Sequence, residues 1–166
     1  DLRAEVASFW SSEYSGTVAP DQVAISSGCN QAFTAAMSTL AGPGDEVILP
    51  TPWYFNHKMW LDMAGIRTVP LPTDGNMVPT PEACAERMTP RTKAIVLVSP
   101  NNPTGAEYPA ETLSDLLALA RKHGVALLVD ETYRDFHSTS PGTPIHPLFS
   151  DATWDNTLIA LYSFSK

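Results

Sequence analysis

The sequence predicts a three-layer α/β/α fold with a mostly parallel sheet, and three observations lead there. Short apolar runs recur at steps of 21 to 32 residues, enough for a strand, two turns and a crossover helix. The last three runs are apolar at successive positions, as strands covered on both faces require. Between the runs the apolar spacing switches to the helical period, with start and stop signals at its ends.

In chain order, the runs are Val23-Ala24-Ile25, Val47-Ile48-Leu49, Thr68-Val69-Pro70-Leu71, Ala94-Ile95-Val96-Leu97-Val98, Val125-Ala126-Leu127-Leu128-Val129 and Leu158-Ile159-Ala160-Leu161. A first helix is read as already under way at Leu2-Arg3-Ala4-Glu5-Val6-Ala7. Phe33, Ala36, Met37 and Leu40 share one helical face, and Gly42-Pro43 stops that helix. Thr80-Pro81-Glu82 has the form of a capped start. Leu113, Leu116, Leu117 and Ala120 form a second apolar face. Pro109 opens that helix, Glu111 sits in its first turn, and Arg121-Lys122-His123-Gly124 close it with cations and a glycine. With no repeat, linker or low-complexity tract, one domain spans 1–166.

Composition narrows the function classes. Ten Lys+Arg against 18 Asp+Glu give a net charge of −8, which argues against nucleic acid or an anionic membrane as partner. No apolar run approaches the ~18 residues of a transmembrane helix, and no signal peptide is read at the start. Cys29 and Cys84 stand alone, so neither a metal site nor a disulfide framework is expected and the cytoplasm is the default compartment. The 15 prolines cluster at turns and punctuate a folded domain. Both ends read as cut, so the expectation is a partial domain.

Ligands of open parallel sheets bind outside the carboxyl ends of the strands, so the residues after each run matter most. Ser26-Ser27-Gly28-Cys29-Asn30 leads from the first run into a helix, and such a turn offers backbone amides and a helix dipole to a phosphate, though ordinary tight turns look alike. Trp53-Tyr54-Phe55 after the second run offers either a stacking platform or packing in the core or an interface. Ser99-Pro100-Asn101-Asn102-Pro103-Thr104-Gly105 makes a stiff turn that fixes amide donors in space. Asp130, directly after five apolar residues, needs a cationic or donor partner if it is partly buried. Lys166 follows Ser163-Phe164-Ser165. Such a lysine either snorkels to water or, in a dry cleft, becomes a nucleophile or base.

Together these signals supply a phosphate cup, a stacking ring, an amide donor, a carboxylate and a reactive lysine. Pyridoxal 5′-phosphate uses all five, since its aldehyde needs a lysine and its pyridine nitrogen an acid.

Asn-Asn-Pro-Thr-Gly at 101–105, Asp130-x-x-Tyr133 and Ser163-x-Ser-Lys166 resemble, in that order, the motifs of class I/II aminotransferases of the aspartate aminotransferase superfamily. The resemblance runs over essentially the whole chain and implies the cofactor-binding large domain of that fold, truncated at both ends and without the small domain. It implies that Lys166 forms the internal aldimine and shuttles the Cα proton, and that Asp130 pairs with the pyridinium nitrogen. Asn102 and Tyr133 would then hydrogen-bond the ring oxygen. The amides of Cys29 and Asn30, after Gly28, would hold the phosphate with Ser163, and Tyr54 would stack on the ring. Trp53 and Phe55 then become packing residues, and His57 resembles the residue that orients the aspartate. The family's further phosphate-binding arginine, its substrate-carboxylate arginine and its N-terminal arm have no counterpart in 1–166. Residues 1–166 alone are therefore expected to be poorly soluble and to lack turnover.

The implied activity is transfer of an amino group between an L-amino acid and a 2-oxo acid, by a cytoplasmic homodimer when full length, without nucleic acid, membrane or metal. Other pyridoxal-phosphate chemistry of the same fold remains open: C–S lyase, decarboxylase, cyclase or amino-acid oxidase. So does a non-catalytic cofactor-sensing domain of a transcription regulator.

Overall fold

The structure is a computed structural model that describes residues 1–140 and 142–165. Five strands form one sheet: β1 (Glu46–Thr51), β2 (Arg67–Pro72), β3 (Thr92–Val98), β4 (Ala126–Asp130) and β5 (Leu158–Leu161). They lie in the order β2-β1-β3-β4-β5, and every pairing is parallel. The expected mostly parallel sheet is thus parallel throughout among the described residues.

Helices α1 (Leu2–Glu13), α2 (Cys29–Leu40), α3 (Phe55–Met63), α4 (Pro81–Ala85) and α5 (Ala110–His123) cover both faces. Because side chains alternate along a strand, Ile95 and Leu97 of β3 enter the core beneath α1, α4 and α5, while Ala94 and Val96 enter the core beneath α2 and α3. The division follows from handedness. The chain steps outward from β1 to β2 and then returns past β1 to β3, so its direction across the sheet reverses. A right-handed crossover must then change face, which puts α3 on one side and α4 and α5 on the other. The reversal also creates a crevice between β1 and β3, where ligands of such sheets bind.

Local signals account for the helix ends. At the amino end of α1 the Asp1 carboxylate accepts from the Ala4 amide at 3.2 Å. The Thr80 hydroxyl accepts from the Ala83 amide at 3.2 Å and starts α4. Gly124 ends α5 at φ 63°, a left-handed conformation that favours glycine.

Two expectations are corrected. Val23-Ala24-Ile25 forms no strand, and Ile25 is about half exposed, because the run has no neighbouring strand among the described residues to bond with. Of the two packing readings of Phe55, core and interface, the core one does not hold. Phe55 opens α3 on the outward face with Met59 and Met63 and is 60% exposed, whereas Trp53 packs against the α2–α3 core.

The amino end of the sheet is closed by Glu46, which is fully buried. Its carboxylate accepts from Arg67 Nε at 3.2 Å, Arg91 Nε at 2.8 Å and Thr89 Oγ1 at 2.7 Å. The Arg67 and Thr89 hydrogen bonds, then Arg91, outweigh the cost of burial and hold its pKa down at about 2.

Candidate active site

At the opposite, carboxyl end of the sheet lies a cavity of about 270 Å³. Gly28, Cys29 and Asn30 line one wall from the start of α2. Tyr54 comes from the turn after β1, Asn102 from the turn after β3, Asp130 and Tyr133 from the end of β4, and Ser163 from the segment after β5. The structure therefore brings eight of the residues singled out by sequence around one space. Lys166 lies outside the described residues.

The α2 wall is suited to an anion. Gly28 is at φ 92°, where a side chain would be strained, and a Cβ there would meet only open space. No side chain caps the helix, and the amides of Cys29 and Asn30 have no hydrogen-bond partner among the described residues. Unsatisfied N–H groups and the positive end of the helix dipole thus point into the cavity. Burial and then the Asp130 charge push the Cys29 thiol pKa up to about 12.

Asp130 supplies the opposite polarity and is 3% exposed. Its Oδ1 accepts from the Thr132 amide at 3.0 Å and the Thr132 hydroxyl at 2.7 Å. His57 Nε2 lies 3.2 Å from Oδ2. Burial pushes the Asp130 pKa up, while nearby His57 and the Thr132 donors pull it further down, so the net shift is downward. The His57 ring is itself held between Phe33, stacked at 4.0 Å, and Tyr54, edge-on at 5.1 Å.

The paired asparagines divide their work. Asn101 is buried and builds the turn: its Oδ1 accepts from the Thr104 amide at 3.2 Å and hydroxyl at 2.9 Å, and its Nδ2 donates to the Tyr108 hydroxyl at 3.2 Å. Asn102 is left facing the cavity. Ser163 and Ser165 approach each other at 2.8 Å between their hydroxyls.

Ser27 and Ser165, quoted within their motifs but given no role of their own, also line the cavity, as does Thr132. The signal for Thr132 was present, because a donor two residues after an Asp closes a local turn onto the carboxylate. Among the described residues no group of three His, Cys, Asp or Glu could hold a metal ion, and no helix is long and apolar enough to cross a membrane.

Residues 1–166 match the family model described as aminotransferase class I and II. The chain belongs to that family. An aspartate/prephenate aminotransferase of Thermus thermophilus is 38% identical over 136 residues, covering 80% of this chain and 35% of that protein. A solved Thermus thermophilus aspartate aminotransferase with maleate superposes with a TM-score of 0.88 at 31% identity, covering 99% of this chain and 42% of that one. An alanine aminotransferase from Pyrococcus furiosus superposes with a TM-score of 0.86 at 27% identity, again covering 99% and 42%. This class I and II aminotransferase chain thus spans well under half the length of the relatives it matches.

Proposed function

We propose that the carboxyl-end cavity holds pyridoxal 5′-phosphate and that the protein is an aminotransferase moving an amino group between an L-amino acid and a 2-oxo acid. The observation that carries this reading is the pairing, in one cavity, of an uncapped helix N-terminus with a buried carboxylate. That is the polarity demanded by a ligand with a phosphate at one end and a cationic ring nitrogen at the other. Every relative named above is an aminotransferase, which favours transamination over lyase, decarboxylase, cyclase, oxidase or sensor roles.

When bound, the cofactor supplies an electron sink that makes the α-proton of an amino acid removable. The residues of this chain do the rest. The Cys29 and Asn30 amides and the Ser163 hydroxyl bind the phosphate. Asp130, kept ionised by Thr132 and His57, holds a proton on the ring nitrogen by charge pairing. Asn102 and Tyr133 would donate to the cofactor's ring oxygen, and the Tyr54 ring would pack against it. Lys166 would hold the cofactor, and its amine, when neutral, would accept the proton from the substrate α-carbon. The full-length protein acts as a homodimer, and the cytoplasm suits its two free cysteines.

The test is amino-group exchange. With the full-length protein and added pyridoxal phosphate, aspartate and 2-oxoglutarate should yield glutamate, and aspartate alone should convert the cofactor to its aminated form. Bound cofactor without exchange across a panel of amino and oxo acids would assign the site to other chemistry.

A further inference from the structure

The turn that carries Asp130 and Tyr133 has a second face. Asp130 and Tyr133 look into the cavity, while Glu131 and Arg134 turn the other way, into the layer under α1. Glu131 is 1% exposed, and its Oε1 accepts from the Tyr14 hydroxyl at 2.6 Å and contacts His146 Nε2 at 3.1 Å. Tyr14 and His146 stack at 4.6 Å. The Arg134 guanidinium lies 5.0 Å from the Trp10 ring and 5.4 Å from the Tyr14 ring, and donates to Glu13 at 2.9 Å. The turn backbone is tied as well, since the Glu131 amide donates to Leu161 O of β5 at 2.8 Å.

Stability alone does not explain this arrangement. The second carboxylate oxygen of Glu131 has no partner among the described residues, nor does Nε of Arg134. A buried charge satisfied on one side only is a poor stabilising device, and a hydrophobic pair of similar volume would serve the core as well. What the arrangement does provide is a fixed distance between α1 and a four-residue turn whose other face must be placed to a fraction of an ångström.

We infer that Glu131, gripped by Tyr14 and His146, is a positioning residue that sets where Asp130 and Tyr133 meet the bound cofactor. The inference rests on the pyridoxal-phosphate reading of the cavity. Glu131 touches nothing in the cavity and acts through the turn.

The experiment uses the protein with pyridoxal phosphate as probe, comparing the parent with Glu131→Gln, Tyr14→Phe and, as a control at the other end of the sheet, Glu46→Gln. Three quantities are measured: the dissociation constant for pyridoxal phosphate, the pH midpoint of the bound cofactor's visible absorption, and Tm. Glu131→Gln should raise the dissociation constant about tenfold and move the midpoint by about half a pH unit or more. Tyr14→Phe should move both the same way by less, and bears the test if Glu131→Gln does not fold. Glu46→Gln should lower Tm and leave both cofactor readouts at the parent values. A parent that binds the cofactor, with Glu131→Gln or Tyr14→Phe matching it within twofold in affinity and in midpoint, overturns the positioning role alone. A parent with no cofactor absorption overturns the cavity reading and this inference together.

Discussion

Glu46 and Asp130 are buried carboxylates at opposite ends of one parallel sheet, and their surroundings differ in a telling way. Glu46 meets two arginines and a threonine and is itself fully buried. Asp130 has no arginine among its described partners; it is held by one threonine and one histidine and faces a cavity of about 270 Å³. Burial and a depressed pKa are common to both, so neither marks a functional carboxylate. What separates them is saturation. Glu46 has its cations built in, whereas Asp130, the carboxylate proposed to meet the cofactor, is kept ionised by weaker donors and left short of a cation that a ligand can bring.

The largest expected effect tests the open end. Asp130→Asn keeps shape and removes charge, so turnover should fall by roughly two orders of magnitude or more in steady-state assays, with cofactor affinity falling less. Near-normal turnover would remove the distinction between the two carboxylates. At the closed end the expectation reverses. Glu46→Gln should cost roughly 2 kcal/mol in denaturant unfolding, because several charge-assisted hydrogen bonds are lost, while cofactor affinity stays unchanged.

The same group carries a pH signature. The folded Glu46 pKa of about 2 lies below its ordinary value of 4.5, so its contribution to stability is complete above about 4.5 and is lost as pH falls toward 2. Thermal unfolding followed across that window should show a shallower decline for Glu46→Gln than for the parent. A smaller effect compares two glycines with positive φ. Gly28→Ala and Gly124→Ala should each cost roughly 1 kcal/mol of stability, for Cβ strain in the backbone, but only Gly28→Ala should also weaken phosphate binding.

Much of the open end was legible in the sequence, because strand ends and the turns that follow them are local. Each apolar run that became a strand named its own carboxyl end, and the parallel order brought Tyr54, Asn102 and Asp130 to one edge. The illegible parts depend on contacts remote in the chain. Tyr14 reaches Glu131 across 117 residues, and no periodicity announces that meeting. The Glu46 clamp is hidden in the same way, since Arg67 and Arg91 look like ordinary surface cations until β2 and the turn before β3 bring them beside β1. Val23-Ala24-Ile25 has the composition of a strand, but a strand also needs a neighbour, and composition does not supply one.

The central claim is that the open end of the sheet is a pyridoxal-phosphate site anchored on Lys166, and reductive labelling addresses it most directly. The protein is incubated with pyridoxal phosphate, reduced with borohydride, digested and mapped by mass spectrometry. The predicted result is stoichiometric label on Lys166, abolished when Lys166→Ala is treated in the same way. Label on Lys58, Lys93 or Lys122 instead, or label that survives Lys166→Ala at full stoichiometry, would contradict it.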